Sequence, residues 1–330
     1  MTRPLAHDGR LLVVVGPTGT GKSALALALA ETLGGEIVGC DAVQVYRGFD
    51  CATAKPSADE RRRVPHHLID CADPRVDFSL ADYVRSAEQA LAAIRGRGRV
   101  AVVTGGTGLY LRGLLAGVLP APARDPALRA RLRSILDRGG ARHLRRLLAR
   151  LDPGSAARIA PRDTQRLARA LELAAGGRSW SERLAADGTW AAGGERMPSL
   201  KIGLDTDRGL LGARLDERVD RFFDGGLIDE VRALLDAGVP PQANAFKAIG
   251  YREVLAAFAA GSDPETTRPA VKRSTRRYAK RQRTWFRKER GIVWLDAARD
   301  TPSLRDDVLR RWGGVAPLPT APRSGRAAEP

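Results

Sequence analysis

A phosphate-binding loop carries the clearest chemistry in this sequence of 330 residues. It consists of Gly16, Pro17, Thr18, Gly19, Thr20, Gly21, Lys22 and Ser23. The spacing is G-x-x-x-x-G-K-[ST], with an apolar run before it and an alanine- and leucine-rich run after it, so we predict a strand, the loop and a helix. Such a loop directs backbone N–H groups at a phosphate chain, Lys22 adds positive charge, and the Ser23 hydroxyl can hold Mg²⁺. The loop predicts a di- or triphosphate ligand, which need not be a nucleotide.

Two further polar residues follow apolar runs of strand length. Asp41 follows the run 36–40, and Thr107 lies just beyond the run 100–104. Because ligands in parallel sheets bind beyond the carboxyl ends of the strands, both residues are candidates for the same site. Asp41 could cap a turn or accept a proton. The run 100–104 does not end in the aspartate that holds Mg²⁺ in a P-loop NTPase, so ordinary nucleotide hydrolysis is disfavoured.

The elements that position these residues alternate between short apolar runs and helical stretches. This pattern predicts an α/β fold, a P-loop NTPase-like doubly wound parallel sheet. The predicted strands are 11–15, 36–40, 67–69, 100–104, 202–204 and 292–295. Leucines at helical spacing interrupt the alternation, so we predict a helical insertion at 124–198 within a core of 10–123 and 199–314. The Pro- and Ala-rich tail, 315–330, is predicted to be disordered.

Positive charge is concentrated in two segments. The net formal charge is +17. Residues 124–183 hold 15 arginines and six acidic residues, a net charge of +9, and residues 268–290 hold 11 basic residues and one acidic residue, a net charge of +10. Basicity confined in this way predicts binding to a polyanion such as nucleic acid.

The remaining composition narrows the class of protein. There is no apolar run long enough to span a membrane and no signal-peptide pattern at the N-terminus, so we expect a cytoplasmic protein. The three cysteines, Cys40, Cys51 and Cys71, lack a pairing logic and are expected to be reduced. The four histidines form no metal-ligand pattern.

Seven motifs in order resemble the tRNA dimethylallyltransferase family, whose members are also called tRNA isopentenyltransferases. They are GPTGTGKS at 16–23, DAVQVYRG at 41–48, TAKP at 53–56, PHHLID at 65–70, GGTGLY at 105–110, IGY at 249–251 and KRQRTW at 280–285. The match covers roughly residues 10–296. Many members carry a serine where Ala42 stands and Ile-Gly where Cys51-Ala52 stands, and the zinc-finger extension of eukaryotic members is not found, so the prokaryotic type is expected.

This resemblance implies a reaction. The family transfers a dimethylallyl group from dimethylallyl diphosphate to N6 of the adenosine that is 3′-adjacent to the anticodon, releasing diphosphate. Carried over, residues 18–23 cradle the diphosphate, Asp41 takes a proton from the amine, Thr107 stands beside the bridging oxygen, and Arg214 contacts the other oxygens. Judged by its surroundings alone, Arg214 would belong to a salt-bridged helix face with Arg218 and Arg221.

The resemblance also implies a tRNA footprint on the anticodon stem-loop, bound by a monomer. The implied contacts are Asp41, Ala42, Val43, Gln44, Thr107, Arg129, Gln165, Arg166, Leu167, Ala168, Arg169, Phe246, Lys247, Ile249, Gly250, Tyr251, Lys280, Arg281, Gln282, Arg283, Thr284 and Trp285. The aromatic residues of 277–286 could stack on an extruded adenine or pack into the core.

Three other functions stay open at this point. A metabolite kinase would explain the loop but not the basic segments. An RNA-binding protein with a vestigial loop would explain the charge but not Asp41 and Thr107. Prenylation of free AMP would explain the loop and Asp41, although the large basic insertion argues against it.

Overall fold

The structure, a computed structural model, describes residues 9–118, 122, 125–186 and 194–314. The chain divides into two compact units, one formed by Met1–Leu114 with Met197–Pro330 and the other by Leu115–Arg196. Most of the predicted insertion therefore belongs to the second unit. The tail predicted to be disordered, 315–330, lies outside the described residues.

A single six-stranded sheet lies in the described part of the first unit. Its strands are β1 Leu11–Val15, β2 Glu36–Gly39, β3 His66–His67, β4 Ala101–Gly105, β5 Ser199–Asp205 and β6 Ile292–Asp296. All pairs are parallel, and the order is β3-β2-β4-β1-β5-β6. The predicted parallel α/β sheet is confirmed. The strand predicted at 67–69 is displaced and shorter, since Leu68 and Asp70 take left-handed φ angles of 62° and 54° and leave the extended conformation.

Helices connect the strands. They are α1 Lys22–Leu33, α2 Ala58–Arg63, α3 Leu80–Gly96, α4 Gly108–Ala116, α5 Pro126–Leu151, α6 Pro153–Arg158, α7 Thr164–Ala175, α8 Trp180–Ala186, α9 Arg208–Asp224, α10 Leu227–Asp236, α11 Tyr251–Ala259, α12 Arg268–Phe286 and α13 Thr301–Gly314. The Asp207 carboxylate caps α9 by accepting from Gly209 and Leu210 N–H. The break predicted at Gly225-Gly226 is confirmed between α9 and α10.

The core of the first unit explains the apolar runs. Every residue of β1 is buried, as expected for a central strand of a parallel sheet. One cluster packs β1 and α1 against Val308 and Trp312 of α13. Another packs Phe49 against Phe246 and Tyr251, with ring centroids 5.2 and 4.7 Å apart. The ends of the strands are thereby held on a rigid support.

The helical unit has its own core, formed by leucines of α5 and α7 at helical spacing. Leu144, Leu148 and Leu167 are fully buried there. Leu151, which continues the predicted apolar stripe, is 57% exposed. The chain kinks at Gly140, whose φ of 65° is not helical, so α5 consists of two helical arms.

Candidate active site

The phosphate-binding loop joins β1 to α1 and is fixed by its own hydrogen bonds. The buried Thr20 hydroxyl donates to the Pro17 carbonyl oxygen at 2.9 Å, and the Lys22 ammonium donates to the same oxygen at 2.7 Å. Gly21 precedes α1 with a φ of 81°, which glycine adopts without strain, and it has no side chain to cap the helix. The N–H groups of the first turn of α1 are therefore suited to a bound anion.

The ends of β2 and β4 form a hydrogen-bonded corner near the loop. A Cβ added to Gly105 would lie 2.1 Å from the Cys40 carbonyl oxygen, so only glycine allows the two strand ends to approach this closely. Thr107 N–H donates to the Cys40 carbonyl oxygen at 3.1 Å, and Ala42 N–H donates to the Thr107 hydroxyl at 3.0 Å. The structure thus brings together Thr107 and Asp41, the residue before Ala42.

The buried Gln282 of α12 links this corner to the phosphate-binding loop. Its Oε1 accepts from Thr18 N–H at 2.8 Å, and its Nε2 donates to the Gly106 carbonyl oxygen at 2.9 Å. Gln282 is only 5% exposed, and its two side-chain hydrogen bonds join the loop to the corner, so its predicted tRNA contact stays a prediction. Its spacing from the buried Ala279 and Phe286 is the sequence signal that it faces inward.

Three charged side chains, those of Lys22, Arg218 and Asp41, interact electrostatically at this site. Burial, reinforced by the charge of Arg218 and opposed by Asp41, lowers the pKa of Lys22 from 10.5 to about 7. Burial also lowers the pKa of Arg218 from its usual 12.5, again opposed by Asp41. Two cations and one carboxylate carry a net positive charge, which suits an anionic diphosphate.

Arg214 lies one turn before Arg218 on α9. Its guanidinium donates to the Ala297 carbonyl oxygen at 3.2 Å. Arg218 is the arginine whose charge acts on both Lys22 and Asp41. The contact predicted between Arg214 and a diphosphate stays a prediction, and Arg218, whose charge lowers the pKa of Lys22, is a second candidate for that role.

The Asp41 carboxylate is oriented by the backbone that follows it. Its Oδ1 accepts from Val43 N–H at 2.9 Å and from Gln44 N–H at 3.3 Å. In the described part of the chain, Oδ2 accepts no hydrogen bond. The Gln44 side chain is also fixed, because its Nε2 donates to the carbonyl oxygens of Thr53 and Ala54 at 2.9 and 3.0 Å.

A second carboxylate, Asp205, ends β5 beside β1, and no motif in the sequence singles it out. Arg283 donates to its Oδ1 through Nη2 at 2.6 Å, and Arg287 donates to its Oδ2 at 2.9 Å. Asp205 is therefore neutralised by two arginines. Arg283, an implied tRNA contact, is only 18% exposed in this pair.

The rest of α12 divides into an exposed and a packed face. Lys280, Arg281 and Thr284 are exposed, as a contact surface requires. Trp285 lies under the Arg112 guanidinium, 4.9 Å from the ring centroid. Burial and the nearby Asp41 raise the pKa of Tyr278, and the neighbouring Thr107 hydroxyl opposes this. Of the aromatic residues, Phe286 is in the core, and Tyr278 and Trp285 are half-buried.

Basic side chains of the helical unit are held by a buried acid, which the sequence pattern did not reveal. Glu172 is 4% exposed; its carboxylate accepts from Arg169 at 2.7 Å and also from Arg129. Gln165 and Arg166 are exposed on the same helix. The implied contacts Leu167 and Ala168 differ from them, because Leu167 is fully buried in the core of the unit and Ala168 is half-buried.

The segment 246–251 was implied to touch tRNA, yet its aromatic side chains face inward. Phe246 is 2% exposed and Tyr251 is 0% exposed. Gly250 is buried, Ile249 is half-buried and Lys247 is exposed. A tRNA contact from this segment therefore stays a prediction that depends on Lys247, Ile249 or the backbone.

The phosphate-binding loop offers one side-chain ligand, the Ser23 hydroxyl, to a magnesium ion. Ser23 is exposed at the first turn of α1 and offers a hard hydroxyl oxygen. No group of three or more His, Cys, Asp or Glu side chains in the described ranges could hold a metal ion. This fits the usual pattern for Mg²⁺, which takes one or two protein oxygens and completes its shell with phosphates and water. Among the described helices, none is long and apolar enough to cross a membrane.

Comparisons with known proteins identify the family that this chain resembles. The family model described as IPP transferase matches residues 44–289, and a model described as isopentenyl transferase matches residues 9–70. A tRNA dimethylallyltransferase of Geobacter metallireducens is 46% identical over 301 residues, covering 91% of this chain and 96% of the relative. One from an Anaeromyxobacter species is 47% identical over 303 residues, covering 91% and 97%.

Solved structures agree with the sequence relatives. The full-length tRNA isopentenylpyrophosphate transferase of Bacillus halodurans is 35% identical, with a TM-score of 0.68, over 93% of this chain and 96% of that one. A eukaryotic dimethylallyltransferase acting on tRNA is 26% identical, with a TM-score of 0.76, over 92% of this chain and 77% of that one. From the phosphate-binding loop, the corner of Asp41 and Thr107 and these matches, we conclude that this chain belongs to the IPP transferase family of tRNA dimethylallyltransferases.

Proposed function

We propose that this chain transfers the dimethylallyl group of dimethylallyl diphosphate to N6 of the adenosine 3′-adjacent to the anticodon in tRNA, releasing diphosphate. The observation that best supports this is the hydrogen bond from Ala42 N–H to the Thr107 hydroxyl, at the corner next to the phosphate-binding loop. This bond supports the proposal because it links the residue after the carboxylate Asp41 to the strand end next to the loop that would bind the diphosphate. Transfer from a diphosphate to an amine requires both a proton acceptor and a diphosphate site.

Asp41 would serve as the general base. The adenine N6 attacks C1 of the dimethylallyl group, the C1–O bond breaks, and its electron pair leaves with the diphosphate. The proton lost by N6 passes to the Asp41 carboxylate. Two backbone N–H groups hold Oδ1, so Oδ2 is the oxygen available for this proton.

The departing diphosphate needs positive charge and hydrogen-bond donors. Lys22, Arg218 and Arg214 would supply the charge. The Thr107 hydroxyl accepts from Ala42 N–H, and it would donate its own proton to the bridging oxygen. Mg²⁺ held by the Ser23 hydroxyl would add positive charge against the diphosphate oxygens.

The basic segments would hold the tRNA. Exposed side chains of the helical unit, Gln165 and Arg166, would contact the anticodon stem through its phosphates. Lys280 and Arg281 of α12 would contact the loop. Because the groups assigned to catalysis come from one chain, a monomer suffices for the reaction. The proposed substrate, tRNA, implies that the protein acts in the cytoplasm.

The test compares dimethylallyl diphosphate with ATP as the co-substrate. With Mg²⁺ and tRNA, the protein should release diphosphate from dimethylallyl diphosphate, and mass analysis of digested tRNA should show N6-dimethylallyladenosine. Lys22→Met should abolish both. ATP in place of dimethylallyl diphosphate should give no phosphate release. A robust tRNA-stimulated ATPase, or transfer to free AMP as fast as to tRNA, would contradict the proposal.

A further inference from the structure

Two motifs, TAKP at 53–56 and PHHLID at 65–70, have no part in the chemistry described so far, yet the structure joins them. The Lys55 ammonium donates to Asp70 Oδ1 at 2.5 Å, to Asp50 Oδ1 at 2.6 Å and to the Tyr46 carbonyl oxygen at 2.7 Å. All three of its protons are therefore used. The Lys55 side chain is 4% exposed, and Arg61 donates to the other oxygen of Asp70 at 2.8 Å.

This cluster encloses the segment that carries Asp41 and Gln44. Asp70 N–H donates to the Gln44 carbonyl oxygen at 3.1 Å. On the other side, the Gln44 side chain donates to the carbonyl oxygens of Thr53 and Ala54, the two residues before Lys55. Ala54 and Asp70 have φ angles of 49° and 54°, which residues other than glycine rarely adopt. These conformations persist only where surrounding contacts impose them, and Lys55 joins both loops.

The orientation of the Gln44 amide follows from these contacts. Both carbonyl oxygens can only accept hydrogen bonds, so the Gln44 nitrogen faces them and its Oε1 faces away. Gln44 is also linked to Asp41 through its backbone, because Gln44 N–H donates to Asp41 Oδ1. An adenine amine has two N–H donors, so it could donate one proton to Gln44 Oε1 and lose the other to Asp41.

We propose that Lys55 is a positioning residue for the transfer reaction, which fixes the Gln44 amide so that its Oε1 orients the adenine amine against Asp41. Lys55 acts through the loop 53–55 and through Asp70, and it does not touch the substrate. The inference rests on the proposed function, since it assumes that the amine enters beside Asp41.

A double-mutant cycle on the single-turnover rate at saturating tRNA tests this coupling. A substrate misplaced by about 1 Å loses about 10²-fold in rate, so Gln44→Ala and Lys55→Met should each lower the rate by about that factor. If Lys55 acts through Gln44, the double variant should lose about 10²-fold and not about 10⁴-fold. Kd values for tRNA and dimethylallyl diphosphate should stay near those of the wild type. Effects that multiply in the double variant would contradict the proposal.

The controls separate positioning from stability. Arg62→Met removes an exposed cation of the adjacent helix α2, which pairs with Asp59, and should leave the rate unchanged. If Lys55→Met does not fold, Asp70→Asn can replace it, because this variant keeps the shape of the cluster and weakens the ion pair with Lys55. Asp70→Asn should cause a smaller loss of rate, and it should cause no further loss when Gln44 is already alanine. A wild-type rate for Gln44→Ala beside an inactive Asp41→Asn would overturn this proposal alone. Wild-type rates for both would overturn the proposed function as well.

Discussion

The affinity of the empty site for a prenyl diphosphate should fall as pH rises above 7, because Lys22 then loses its proton. With a pKa of about 7, half of the Lys22 side chains are neutral at pH 7. A bound diphosphate favours the charged form, so binding takes up a proton. Below pH 7 the group is already charged and contributes fully. Binding should weaken about fivefold from pH 7 to pH 8 and about ninefold from pH 8 to pH 9, so the Kd should rise about 50-fold between pH 7 and pH 9.

Isothermal titration of dimethylallyl diphosphate without tRNA, in buffers of different ionisation enthalpy, measures both the Kd and the proton uptake. Arg218→Gln should move the midpoint to higher pH, because the charge of Arg218 lowers the pKa of Lys22. Asp41→Asn should move it to lower pH, because that carboxylate raises the same pKa. Lys22→Met should bind weakly at every pH. A Kd that is flat from pH 7 to pH 9, or an equal slope in Lys22→Met, would refute the reasoning.

Three further outcomes follow from contacts elsewhere. Glu36→Gln should lower the free energy of unfolding by about 1–3 kcal/mol at pH 7, because the buried carboxylate accepts hydrogen bonds from charged partners. Hydrogen bonding to Arg97 lowers the pKa of Glu36 to about 2, so this difference, measured by urea unfolding, should be full above pH 4.5 and disappear as pH falls towards 2. Arg166→Ala and Lys280→Ala should each lower the slope of log K for tRNA binding against log salt concentration by up to about 0.9. Filter binding at a series of salt concentrations measures this slope. An unchanged slope would mean that the tRNA footprint lies elsewhere. Gln282→Leu should weaken dimethylallyl diphosphate binding without changing tRNA affinity, since it frees the phosphate-binding loop; unchanged binding would show that the loop needs no support from α12.

The strands and helices could be predicted from the sequence because apolar runs and glycine breaks mark them locally. Each apolar run of the first unit became a strand, and the break at Gly225-Gly226 fell between two helices. Of these strands, β3 is displaced and shortened, because Leu68 and Asp70 are left-handed, and Asp70 belongs to the cluster around Lys55. That cluster depends on contacts between separate segments, which local periodicity does not report.

The site was predicted less completely, because it depends on contacts between segments that are far apart in the sequence. The spacing of Arg214 and Arg218 places both on one helix face, but only the packed structure shows which of them acts on Lys22. Gln282 accepts a hydrogen bond from Thr18, which lies 264 positions away in the chain, so local sequence does not reveal this contact. Likewise, the arginine-rich pattern of the helical unit conceals Glu172, a single buried acid that holds Arg129 and Arg169.

The measurement that tests the central claim most directly is single-turnover transfer by Asp41→Asn. The variant keeps the shape of the side chain and cannot accept the amine proton. The rate at saturating tRNA and dimethylallyl diphosphate should fall by about 10²–10⁴-fold, the usual contribution of a general base, while tRNA affinity changes little. Asp59→Asn, an exposed carboxylate on α2, serves as the matched control and should transfer at the wild-type rate. A near-wild-type rate in Asp41→Asn would remove the strand-end carboxylate from the mechanism and contradict the account.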